Sequence, residues 1–104
     1  MKDRGFVVRS AEDCKAEMGC YGISVEAFED VGVEEALSRT RRPNSTVRLA
    51  VVAELRARNL EVIPTRGAPH ATVLLPEPLD DEGWLALQDA FDEPRLNPYA
   101  PPRR

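Results

Sequence analysis

Hydrophobic and polar positions alternate in short blocks along the chain, and each block predicts an element. In residues 5–10, Phe6 and Val8 fall on one side and Val7 and Arg9 on the other, a period of two that predicts a short strand. Residues 11–18 fit a helical turn or a polar loop equally well. Residues 23–28 alternate Ile23, Val25 and Ala27 against Ser24, Glu26 and Phe28, predicting a second strand. Asp30 or Gly32 can cap a short helix whose face is Val33, Ala36 and Leu37, ending before the loop at residues 40–44.

The strongest helical pattern covers residues 45–58. Pro43 closes the preceding loop, and Asn44 or Ser45 suits the N-cap. Val47, Val51 and Leu55 line one side, while Leu49, Val52, Ala53 and Ala57 lie on roughly the other, with Arg56 among them. A helix apolar on two sides is squeezed between layers. Asn59 suits the left-handed position that follows a helix. Residues 60–65 and 70–75 read as a hairpin around a turn at residues 66–69. His70, Thr72 and Leu74 share one face of its second strand, and Ala71, Val73 and Leu75 share the other. Pro64 marks an edge. Asp80 or Asp81 caps a last helix with Trp84, Leu87 and Phe91 toward the core.

The predicted order is β-β-α-α-β-β-α, an α+β domain with a twisted, mostly antiparallel sheet and three helices packed on it. A chain of 104 residues has room for one such core. The domain is expected over residues 1–93. Four prolines then fall in residues 94–104, which predicts an extended or disordered tail.

No apolar run reaches the roughly 18–20 residues of a membrane span, and residues 1–10 lack a signal-peptide core. A cytoplasmic protein without a membrane partner is expected. A net charge of −4 disfavours a generic nucleic-acid binder. The charge is uneven, however. Residues 1–38 sum to −5, residues 39–66 to +5 and residues 67–104 to −4. The central excess comes from Arg39, Arg41, Arg42, Arg48, Arg56, Arg58 and Arg66, against Glu54 and Glu61. A compositional bias toward arginine accounts for this, as does a site for phosphate or carboxylate, which guanidinium groups grip with two parallel bonds. The same stretch could form a winged-helix module: a helix over residues 33–39, a helix over residues 45–58 and a hairpin wing with Arg66 at its tip.

Candidate chemistry is sparse. Cys14 and Cys20 match no common zinc spacing and have no further cysteines to complete a site; a local disulfide is geometrically conceivable, but without a secretion signal two free thiols are expected. His70 is the only histidine and starts a strand after a turn, where it is either a bonded strand residue or a base at a pocket rim. The His-x-Thr of residues 70–72 is similar to one motif of the two-histidine phosphodiesterases, whose acid–base chemistry needs a second histidine. No Gly-x-Ser-x-Gly elbow is present. Gly22 before Ser24 permits close approach of a ligand to the backbone, with Ser24 as donor, or simply a small residue at a strand start. Arg9 is either a solvent-facing strand charge or an inward anion clamp.

Taken together, Gly-Ile-Ser-Val at residues 22–25, Ala-Pro-His-Ala-Thr-Val-Leu-Leu-Pro at residues 68–76 and a helix ending Leu-Gln-Asp-Ala-Phe at residues 87–91 resemble a family of bacterial effectors. These are the ADP-ribosyltransferase-like cytotoxic toxins of type VI secretion and related polymorphic systems. The resemblance implies NAD as cofactor, with Arg9 on a dinucleotide phosphate, Ser24 bracing the cofactor-binding strand, and Thr72 and His70 lining the same cleft. The chain has no Glu-x-Glu pair, so the carboxylate that stabilises the oxocarbenium-like transition state falls to Glu77 or Glu26. On this reading His70 and Glu77 are the catalytic candidates and a cognate antitoxin or immunity protein is the partner. A different reading makes the chain itself the binding protein, an antitoxin, immunity protein or adaptor that uses its acidic flanks and proline-rich end as contact surface.

Overall fold

The computed structural model describes residues 3–40 and 46–99. Its elements run α1 (Arg4–Met18), β1 (Gly22–Glu26), α2 (Val33–Arg39), β2 (Thr46–Val47), α3 (Val52–Ala57), β3 (Val62–Pro64), β4 (His70–Leu74), α4 (Asp81–Ala90) and β5 (Arg95–Leu96). The class is α+β, as expected. The main sheet has the order β1-β4-β3 with both pairings antiparallel, and β2 pairs antiparallel with β5 in a second small sheet.

The expected β-β-α-α-β-β-α order is corrected at two places. Residues 5–10 are not a strand but the start of α1, a 15-residue helix, which makes four helices among the described residues. Asp3 caps α1, its carboxylate accepting from the Phe6 N–H at 2.8 Å, and Gly19 ends it in the left-handed region with φ 79°. The buried residues Val7, Ala11 and Cys14 fall at i, i+4 and i+7, one stripe along the helix. That stripe is invisible in a six-residue window, where Phe6 and Val8 against Val7 and Arg9 imitate an alternating strand.

The second correction concerns the helix expected over residues 45–58: of residues 46–58, only Val52–Ala57 are helical. The preceding backbone is claimed by the segment after α4. Thr46 and Val47 pair with Leu96 and Arg95, Ala50 bridges Phe91, and the Asp92 N–H donates to the Leu49 carbonyl at 2.8 Å. The Asp92 carboxylate accepts in return from the Leu49 N–H at 2.7 Å. A non-local partner thus outbids the local helical pattern in a stretch rich in β-branched residues. Part of the expected tail is therefore in the fold, through β5. The proposed N-caps Asn44 and Ser45 and residues 100–104 lie outside the described residues.

The other expected helices and strands fall close to their expected places. Asn59 has φ 61°, and Leu60 N–H donates to Leu55 C=O at 2.9 Å while Asn59 N–H donates to Arg56 C=O at 3.0 Å, the paired bonds of a Schellman ending. Residues 66–69 turn the β3–β4 hairpin, and Asp80 caps α4 by accepting from the Gly83 N–H at 2.8 Å. The core joins Val7 and Ala11 of α1, Leu55 of α3, Leu60 and Val62, Ala71 and Val73 of β4, Leu75, Leu79 and Leu87 of α4. β4 is covered on both faces, since Val73 and Thr72 are each fully buried. Among the described residues no helix is long and apolar enough to cross a membrane.

Candidate functional site

β4 is the axis about which the candidate residues are arranged. Register places Ser24 opposite Thr72 and Glu26 opposite His70, so these four share one face of the sheet. Across the hairpin, Thr65 N–H donates to the His70 carbonyl at 3.1 Å. The Thr65 hydroxyl then stands 2.7 Å from His70 Nδ1 and 3.0 Å from Thr72 Oγ1. Nδ1 also lies 3.1 Å from the Thr65 carbonyl oxygen, which can only accept. A proton on Nδ1 satisfies this contact. The buried Thr72 hydroxyl also acts on the Cys14 thiol, favouring its charged form.

Cys14 lies on the buried face of α1. Burial pushes its thiol pKa up, and the neighbouring Cys20 thiol raises it further, while hydrogen bonds from Thr72 and the Gly22 N–H pull the other way. The two sulfurs are 3.8 Å apart and both thiols are free, as expected from the sequence. Tyr21 is also shifted upward, by burial first and then by Glu12 and Glu77.

A cleft of about 420 Å³ runs between α1 and β1. Phe6, Ser10, Asp13, Cys14, Glu17 and Met18 form its helical wall, Ile23 and Ser24 its strand wall, and Arg66 reaches in from the hairpin turn to bond Glu17 at 2.9 Å. The strand wall carries main-chain groups as well as side chains. Leu75 N–H donates to Tyr21 C=O, and Ala27 N–H to Pro69 C=O, each at 2.9 Å. These fix residues 21, 23, 25 and 27 as the ones bonded to β4, so the N–H and C=O of Ser24 point away from it. β1 is an edge strand, and among the described residues no strand pairs on this side.

The sequence candidates are placed unequally. Ser24 lines the cleft, and Thr72 lies opposite it in the sheet interior. Arg9 sits on an exposed turn of α1, not at the end of a strand, and is not among the residues lining the cleft. Glu77 lies beyond the far end of β4 from His70, a strand that alone spans roughly 13 Å. Its carboxylate is held by Lys15 Nζ at 2.8 and 2.9 Å. Glu26 accepts from the Thr40 hydroxyl at the end of α2. The residues as placed do not fit an NAD cradle, because His70 and Glu77 stand apart and Arg9 faces solvent. Gly22 does mark a close approach, but to the chain itself: a Cβ there would meet the Val73 carbonyl oxygen and, at 2.8 Å, Thr72 Cγ2.

Among the described residues, the arginines of the middle stretch are bonded within the chain. Arg39 bonds Glu35, Arg56 bonds Glu61 and Arg58 bonds Glu54, at 2.6, 2.6 and 2.7 Å. The Arg48 guanidinium donates to the carbonyls of Asp92 at 2.5 Å and Phe91 at 3.3 Å. Arg41 and Arg42 lie outside the described residues. The winged-helix arrangement also loses its long second helix, since α3 has six residues and is about 9 Å long.

Sequence reasoning missed Thr65 as the link between His70 and Thr72. The signal was present: a turn at residues 66–69 sets residue 65 opposite 70 and residue 63 opposite 72. The pairings of Glu17 with Arg66 and of Lys15 with Glu77 had no such signal, since both depend on α1 lying over the sheet. Comparison of the chain with family models, curated proteins and solved structures returns no match.

Proposed function

We propose that the protein is an interaction module of the adaptor or antitoxin type, which docks an extended segment of another protein along β1. The observation that carries this reading is the open edge at Ser24 facing a cleft whose other wall is α1. A segment added as a further strand gains main-chain hydrogen bonds from the edge and selectivity from side chains entering the cleft at alternate positions. Phe6, Met18 and Ile23 suit an apolar side chain. Asp13 stands in the same cleft, and the charge of Glu17 is already met by Arg66, so the cleft favours a segment that brings a basic residue. The −5 balance of residues 1–38, which supply both walls, acts in the same direction over longer range.

A displayed library of random peptides, panned against the wild type and two variants, tests the reading. Ser24→Pro removes the outward N–H at a position that makes no bond to β4, and proline is tolerated on such an edge. Ser10→Trp fills the cleft from the helical side. The wild type selects peptides enriched in lysine or arginine, and both variants, with unchanged unfolding midpoints, bind them at least about tenfold more weakly, the equivalent of one good hydrogen bond. Failure to select any peptide, or equal binding by all three proteins, overturns the proposal.

A further inference from the structure

The two cysteines flank the end of α1. Cys14 belongs to the last turns of the helix, and Cys20 follows Gly19, whose left-handed backbone folds the chain back toward β1. This return sets the Sγ atoms 3.8 Å apart. A disulfide bond is about 2.05 Å long, which leaves about 1.8 Å to be closed by side-chain rotation. The two thiols differ in access. Cys14 is buried, whereas Cys20 is only half-buried. An accessible thiol beside a buried one, in a chain with no other cysteine, is the arrangement of an attacking and a resolving pair.

We propose that Cys14 and Cys20 form a thiol–disulfide exchange site whose substrate is a small disulfide of the glutathione class. The Cys20 thiolate attacks one sulfur of glutathione disulfide. That S–S bond breaks, a mixed disulfide forms on Cys20, and one glutathione leaves as thiolate and is protonated by water. Cys14, after giving its proton to water, attacks Cys20 Sγ. The Cys14–Cys20 bond forms and the second glutathione is displaced. The protein loses two electrons and two protons, and glutathione disulfide takes up both as it becomes two thiols. The exchange requires no peptide on β1, so it stands or falls separately from docking.

The full chain is incubated with glutathione disulfide, folded and in urea, and followed by intact mass and thiol titration. The folded wild type loses both thiols and two hydrogens, retains no glutathione, and closes its disulfide roughly tenfold or more faster than the unfolded chain, the mark of a preorganised pair. Cys14→Ser stops at one glutathione, held on Cys20. Closure no faster folded than unfolded, retention of two glutathiones by the wild type, or disulfide-linked dimers as the main product would each overturn the assignment.

Discussion

Gly22 and Val73 lie so close that a Cβ on Gly22 would run into the Val73 carbonyl oxygen. The neighbouring atoms are backbone of the central strand and the buried Thr72 side chain, and neither can yield cheaply. Gly22→Ala is therefore expected to destabilise the protein by about 2 kcal/mol or more, as overpacking in a filled core does. Urea unfolding measures it. An unchanged midpoint would mean that β1 and β4 are further apart than described.

Thr65 supplies the hydroxyl shared by His70 and Thr72. Thr65→Val keeps the shape and removes the bond, so the buried Thr72 hydroxyl loses a partner and stability falls by about 1–2 kcal/mol. Thr65→Ser restores most of it. Equal stability of the two variants would show that the hydroxyl chain contributes nothing.

Arg48 joins the backbone before α3 to the segment after α4. Lysine cannot reproduce a guanidinium bonded to two carbonyls, so Arg48→Lys is expected to cost about 1–2 kcal/mol despite keeping the charge. Amide exchange at Leu49 and Asp92, which bond each other, then speeds up first. A phosphate-binding role for Arg48 predicts instead a variant of full stability.

The Cys14 thiol, raised by burial above its ordinary pKa, makes stability depend on alkaline pH. The folded state holds this proton more tightly than the unfolded state. Its contribution is full below the ordinary thiol pKa and is lost as pH rises from there through the higher folded value. Cys20 raises Cys14 further, and buried Tyr21, also shifted upward, adds a loss of the same sign in the phenol range. Unfolding midpoints measured in reductant from neutral to alkaline pH should fall for the wild type and fall less for Cys14→Ala. Parallel profiles would contradict the assignment.

What the sequence made legible follows from the range of the interactions involved. The β3–β4 hairpin, α4 with its Asp80 cap and the left-handed Asn59 each carry their signal within a few residues. Residues 5–10 and 46–51 did not, for opposite reasons. The first needed a window as long as α1 to reveal Val7, Ala11 and Cys14 as one stripe. The second depended on Asp92, Arg95 and Leu96, more than 40 residues away. Of the candidate site, Ser24 and Thr72 were each legible as strand residues, while their pairing across β1 and β4 came only from the structure. The cleft itself was not, because it exists only once residues 5–10 turn helical and α1 becomes the wall facing β1.

Docking along β1 is tested most directly by backbone amide hydrogen exchange, residue by residue, with and without a selected peptide. In the free protein the Ser24 amide points away from β4 and is expected to exchange rapidly, while Ile23 and Val25, bonded to β4, exchange slowly. With peptide bound, Ser24 should become protected and Ile23 and Val25 should hardly change. Protection confined to α4 or β3, with Ser24 still exchanging at its free rate, would contradict the account.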